Sequence, residues 1–150
     1  MTRASDAADE LGLAYELTKH GRVNSLEEAA AARGIEPAKL IKTIVVRLSD
    51  SDYRFVLVPG DREIAWPKLR ALLGLSRISM PSAETALDVT GYERGTITPL
   101  GSTNAWPVIA DERITGTISI GGGEHGTGLT VDAEDLIKTL NATVADVTDQ

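Results

Sequence analysis

KTIVVRLSDSDYRFVLV, residues 42–58, is the stretch on which the fold turns. Two runs rich in β-branched and aromatic residues, TIVVRL and YRFVLV, flank the polar tetrapeptide SDSD, and that pattern predicts a β-hairpin. Upstream, Pro37 can start a short helix that runs out near Ile41 and Lys42, so Lys42 falls at a helix-to-strand junction. Before it, NSLEEAAAARG (24–34) places Ser25 and Glu28 at capping-box spacing and closes a helix at Gly34. LAYELTKH (13–20) reads as a first strand.

Downstream of the hairpin, AWPKLRALLG (65–74) puts Leu69, Leu72 and Leu73 on one helical face, and PSAETALDV (81–89) is a short helix capped by Ser82. GYERGTITPLGS (91–102) then packs Gly91, Gly95, Gly101 and Pro99 into one loop, a composition that specifies backbone path more than side-chain chemistry. Strands return at PVIAD (107–111), TGTISI (115–120) and GLTV (128–131). DAEDLIKTL (132–140) closes with Asp132 as N-cap and Leu136, Ile137 and Leu140 inward. This order predicts a single α+β domain over residues 1–150: a mixed, mostly antiparallel β-sheet with peripheral helices, and a flexible start over residues 1–10.

Composition narrows the function. The chain carries 22 Asp and Glu against 15 Lys and Arg, a formal charge of −7, so an extended phosphate track would be repelled and any nucleic-acid contact should be small. Lys42, Arg47, Arg62, Lys68 and Arg70 are the residues available for a local basic patch. Cys is absent, which removes disulfides, thiolate metal sites and a cysteine nucleophile together. The N-terminus has no apolar run of a secretory signal and no stretch approaches a membrane span, so a cytoplasmic protein without a membrane partner is expected.

Several catalytic patterns fail on context. GGGEHG (121–126) matches a dinucleotide fingerprint in letters only, because it continues into a strand instead of opening a helix; a glycine hairpin is the better reading. His20 and His125, the only two histidines, belong to no ligand cluster, so neither a metal nor a cofactor is expected. No GxSxG elbow occurs. Glu27/Glu28 and Asp132/Asp135 stand at helix starts, where capping and the dipole account for them.

What remains is Lys42 with the two glycine-rich loops. KLIKTIVVR, GYERGTITPLG and GGGEHGTGLTVDAEDLIKTLNATVADV, in that order, resemble the successive signatures of the YbaK/EbsC-like aminoacyl-tRNA deacylases, the family that includes the editing insertion of bacterial prolyl-tRNA synthetases. The resemblance covers nearly the whole chain. It implies that Lys42 and Thr43 match the family's strand-opening KT pair, that Gly95 and Pro99 match a GxxxP loop lining the pocket, and that Gly121, Gly122 and Gly123 match a loop often beginning SGG.

By that resemblance the chain is a trans-acting, metal-independent hydrolase of the ester in a mischarged tRNA, carrying a small or near-cognate residue. Its partner would be the acceptor end of a tRNA, with a synthetase as a second partner and no DNA. Lys42, Gly95, Pro99 and Gly101 would be catalytic, Lys42 as a fixed charge and the glycines by bringing backbone N–H groups to the developing oxyanion. Thr43, Gly91, Tyr92, Gly121, Gly122 and Gly123 would bind substrate. The attacking water would be activated by a hydroxyl of the substrate itself. From spacing alone Lys42 is a solvated helix-end cation and Tyr92 a core residue. Gly121 stands where many relatives have serine, which removes one hydrogen-bonding group from the expected site. A noncatalytic module that binds the same end, and an esterase of small acyl compounds, are the competing readings.

Overall fold

The computed structural model describes residues 1–150. Along the chain lie α1 (Arg3–Leu11), β1 (Glu16–Lys19), α2 (Leu26–Ala32), a 3-10 turn (Pro37–Lys39), β2 (Ile41–Ser49), β3 (Asp52–Pro59) and β4 (Glu63–Ile64). There follow α3 (Trp66–Leu73), α4 (Ala83–Thr90), β5 (Val108–Asp111), β6 (Thr117–Gly121), β7 (Thr127–Asp132), α5 (Ala133–Leu140), β8 (Thr143–Ala145) and β9 (Thr148–Asp149). The fold is α+β, with mixed and mostly antiparallel pairing.

The hairpin forms where its two runs predict it, with Lys42 opposite Val58, Thr43 opposite Leu57 and Val45 opposite Phe55. β3 then pairs in parallel with β5, and β5 in parallel with β8, giving a four-stranded sheet in the order β2-β3-β5-β8. A second sheet, β1-β7-β6, is antiparallel throughout, and its β6–β7 hairpin turns through the 122–126 glycine loop. A bridge between Leu40 and Ser119 joins the two sheets beside the start of β2. β4 and β9 form a separate small ribbon.

Burial follows strand alternation. Ile41, Val45, Phe55 and Leu57 face the main core, where they meet Ile118, Ile120, Leu129 and Val131 of the second sheet and Leu136 of α5. Val46, Val56 and Val58 face the opposite way and pack with Leu69 of α3 and with Val147. Leu69 is fully buried, which stabilises the docked helix by roughly 1.5 to 3 kcal/mol, whereas Leu72 is 41% exposed. The expectation that Leu72 shares the buried face is therefore corrected: α3 lies on the sheet along a narrower stripe.

The N-terminus differs from its reading as a flexible start. Residues 3–11 form α1, capped by a reciprocal pair in which the Thr2 hydroxyl accepts from the Ser5 N–H and the Ser5 hydroxyl accepts from the Thr2 N–H. Gly12 ends it in the left-handed region at φ 74°. Ala4 and Ala8, one turn apart, are completely buried in the main core. Their methyl groups are too small to stand out as an apolar stripe in the sequence.

Candidate functional site

α1 fixes one half of the 91–102 loop. Arg3 donates from Nε to the Gly101 carbonyl at 2.7 Å and from Nη2 to the Thr90 carbonyl at 3.2 Å, and its guanidinium lies 4.4 Å from the centre of the Tyr92 ring. The Tyr92 hydroxyl donates to the Leu100 carbonyl at 2.6 Å. Burial pushes the Tyr92 phenol up, against the lowering influence of the Arg3 charge. A Cβ on Gly101 would sit 2.7 Å from the Tyr92 hydroxyl and 2.9 Å from the Arg3 carbonyl; one on Gly91 would sit 2.6 Å from the Arg3 guanidinium. These glycines make room for packing.

The other half of the loop borders open space. Gly95 and Thr96 line a cleft of about 630 Å³ whose other walls are residues 20–23, the end of α2 and the 121–127 hairpin. The cleft shares Arg33, Gly95 and Gly121 with an inner cavity of about 200 Å³, which is completed by Leu40, Ile41, Lys42, Thr43 and Ile97. A third, more apolar cavity of about 250 Å³ shares Thr43, Gly95 and Ile97.

Two features of the inner cavity ask for a ligand. The Thr43 hydroxyl is buried and has no hydrogen-bond partner. The N–H groups of Gly95 and Ile97 donate to no protein acceptor, while the Thr96 N–H between them is spent on the Glu93 carbonyl. Gly121 passes so close to this segment that a Cβ on it would lie 3.4 Å from the Ile97 carbonyl. A Cβ at 121 would thus touch the loop at van der Waals distance.

The structure brings together Lys42, Thr43, Gly95, Gly121 and Gly122 of the residues expected from sequence. It does not bring the others. Gly91, Tyr92, Pro99 and Gly101 border neither the cleft nor the inner cavity, and a Cβ on Gly123 would meet the Tyr92 ring at 3.1 Å. They build the loop's support.

Lys42 is placed differently from its expected role. Its cross-strand partner Val58 belongs to the α3-side core and Thr43's partner Leu57 to the main core, so the two neighbours leave the strand on opposite faces. The Lys42 ammonium donates to the Arg62 carbonyl at 2.6 Å. The basic patch expected around it is also largely engaged: Arg47 pairs with Asp50, Arg62 bonds Thr148, and Lys68 pairs with Asp146 and Asp149.

The cation that does stand beside the glycine loops is Arg33, which the sequence reading passed over. It caps the C-terminal end of α2 and lines both the cleft and the inner cavity. Nη1 donates to the Ser119 hydroxyl at 3.2 Å and Nη2 to the Thr127 carbonyl at 3.1 Å. Nε faces His20 Nε2 at 3.4 Å, and His20 Nδ1 lies 2.8 Å from the Gly21 carbonyl. That carbonyl accepts only from a protonated Nδ1, leaving Nε2 as the acceptor toward Arg33. Arg33 makes no ion pair, and burial lowers its pKa. A single arginine closing an alanine helix gives no signal beyond dipole complementarity. His20 and His125, distant in sequence, face the same cleft.

Comparison with known proteins gives a consistent result. The family profile described as the aminoacyl-tRNA editing domain matches residues 20–139. Proline–tRNA ligase of Thermosipho melanesiensis is 34% identical over 99 residues, which is 66% of this chain and 17% of the ligase. The ligase of Bacillus cytotoxicus is 31% identical over 121 residues, 79% of this chain and 21% of its own length. The chain thus spans about a fifth of the curated relatives it matches. A solved structure described as a candidate trans-editing enzyme for prolyl tRNA synthetase superposes with a TM-score of 0.91 at 22% identity, covering 99% of this chain and 96% of that one. At that identity the likeness concerns the fold.

Proposed function

The chain belongs to the aminoacyl-tRNA editing domain family, and from that premise we propose that it is a deacylase that frees a mischarged tRNA of a small amino acid. The observation that carries the reading is the inner cavity, whose lining includes Thr43 with its partnerless hydroxyl and Gly95 and Ile97 with their unused N–H groups. A hydrogen-bonding hydroxyl and two backbone donors around about 200 Å³ suit an ester carbonyl with a small acyl chain. The larger polar cleft outside accommodates the terminal nucleoside.

In this reading water adds to the ester carbonyl carbon, and the oxyanion is held by the Gly95 and Ile97 N–H groups. The bond to the ribose oxygen then breaks, that oxygen takes a proton, and free amino acid and an uncharged 3′ end leave. No side chain in the cavity is a conventional base, so the vicinal ribose hydroxyl relays the proton, taking one from the water while passing its own to the leaving ribose oxygen. Catalysis is then mostly placement, with charge stabilisation supplied by a rigid loop. The proposed route is metal-independent, since water, backbone donors and the substrate's own hydroxyl supply each part of it. Lys42 contributes its charge from the wall, with its ammonium held at the Arg62 carbonyl. Action in trans, which the description of the solved neighbour states for that protein, and a cytoplasmic location are part of the same proposal. A synthetase for proline is the natural partner, given the relatives.

The test is a panel of tRNAs carrying alanine, serine, cysteine or proline, scored for release of free amino acid with and without the protein. At least one should be hydrolysed well above the buffer rate, and the small ones in preference to bulky controls. Tight binding without release of any of them would make the protein a binding module instead.

A further inference from the structure

Arg33 is a preformed cation in want of an anion. Its guanidinium lies across the backbone of Gly128, where a Cβ would come within 2.7 Å of Nε, so the absence of a side chain there is what admits it. Four neutral acceptors hold it: His20 Nε2, the Ser119 hydroxyl and the Ile120 and Thr127 carbonyls. Nη2 uses only one of its two hydrogens on them. The carbonyl end of α2 offsets part of the charge, yet no carboxylate pairs with it. The one hydrogen left on Nη2 can be given to a single anionic oxygen, and the half-buried charge strengthens that contact.

Position selects which anion. Arg33 stands at the junction of the inner cavity and the outer cleft. The inner cavity is lined by Leu40, Ile41 and Ile97 beside Lys42, whose ammonium is turned to the Arg62 carbonyl, whereas Arg22, His20 and His125 line the outer cleft with Glu124. With the acyl group inside and the terminal nucleoside in the cleft, the nearest anion is the phosphate on that nucleoside's 5′ oxygen. Resting on the deacylase reading, we propose that Arg33 is the receptor for this phosphate and so fixes how deeply the acylated end enters the inner cavity.

The experiment compares two non-hydrolysable probes, 3′-alanylamido-3′-deoxyadenosine and its 5′-phosphate, by calorimetry on wild type, Arg33→Lys and Arg33→Ala. On wild type the phosphate should tighten binding roughly ten- to a hundredfold. That gain, read as the ratio of the two probes' affinities on each variant, should shrink in Arg33→Lys, which keeps the charge without the held guanidinium, and vanish in Arg33→Ala. Circular dichroism identifies any variant that fails to fold, and Arg33→Lys then carries the comparison alone. An undiminished phosphate gain in the folded variants would overturn the assignment and leave the deacylase reading standing. Equally, an Arg33-dependent preference for a glutamyl over an alanyl probe would put the acyl carboxylate on the guanidinium and overturn it. No binding of either probe to wild type would sink the functional reading and the inference with it.

Discussion

Gly95 and Gly101 lie in one loop, both left-handed at φ 92° and 77°, and the structure puts them to opposite uses. At Gly101 the place a Cβ would take is filled, by the Tyr92 hydroxyl and the Arg3 backbone. Around Gly95 the nearest atom a Cβ would meet is the His125 ring at 3.5 Å, an ordinary contact at the edge of the cleft. One glycine lets the protein close upon itself, and the other lets something else approach. A loop that must present its backbone to a ligand needs both, because the exposed half is only as rigid as the buried half that anchors it.

The largest effect expected from breaking this contrast is at Gly101. Gly101→Ala adds a Cβ to a position with no space and an unfavourable φ, and should cost about 2 to 4 kcal/mol in urea unfolding. A loss below about 0.5 kcal/mol would mean that the anchored half is not anchored. Thr43→Val comes next, and its effect falls on turnover. Removing a hydroxyl that has no protein partner should leave stability within about 0.5 kcal/mol while slowing single-turnover deacylation about tenfold, some 1.4 kcal/mol. Unchanged turnover would remove Thr43 from the site.

Gly95→Ala sharpens the comparison further. Its strain alone should cost about 1 kcal/mol in stability, with deacylation reduced by a larger factor than the loss of folded protein accounts for. If melting temperature falls as far as in Gly101→Ala, the two halves of the loop are equivalent and the distinction fails.

The smallest effect belongs to a control far from the loop. Hydrogen bonds from Arg113 and then Lys68 lower the Asp146 carboxyl from 3.8 to about 2 in the folded protein. Its stabilising contribution is therefore present above about pH 3.8 and is lost as the pH falls toward 2. Asp146→Asn should flatten that acid arm of the stability curve without altering deacylation at neutral pH; an unaltered acid arm would show the carboxylate to be uninvolved.

How much of this was legible in the sequence depended on the length scale of each signal. The β2–β3 hairpin, the Ser25, Ser82 and Asp132 caps and the glycine hairpin at 121–126 were readable because each rests on local chemistry. α1 was missed because its buried face is alanine, and β8 and β9 because strands of three and two residues carry no period. The parallel pairing of β3 with β5 needs partners some fifty residues apart and leaves no local trace. At the site, Gly95, Gly121 and Thr43 were found through the resemblance, but the motif could not separate Gly95 from Gly101. That separation depends on Arg3, which lies about ninety positions away. Arg33 went unseen because its meaning comes from Gly128 and Ser119, on strands that only the fold brings to it.

The C-terminal strands carry a consequence for the order in which the chain can fold. Asp111 is fully buried, and three of its hydrogen bonds come from the Val147 N–H, the Thr148 hydroxyl and the Arg113 N–H. Until residues 147 and 148 leave the ribosome, two of those donors do not exist, Val147 is missing from the α3-side core and β5 has an open edge. A nascent chain that already holds the β2–β3 hairpin therefore has a carboxylate and a sheet edge uncovered until residues 143–148 arrive. Docking of β8 is what covers the edge of β5, and an edge left uncovered is a template for another strand.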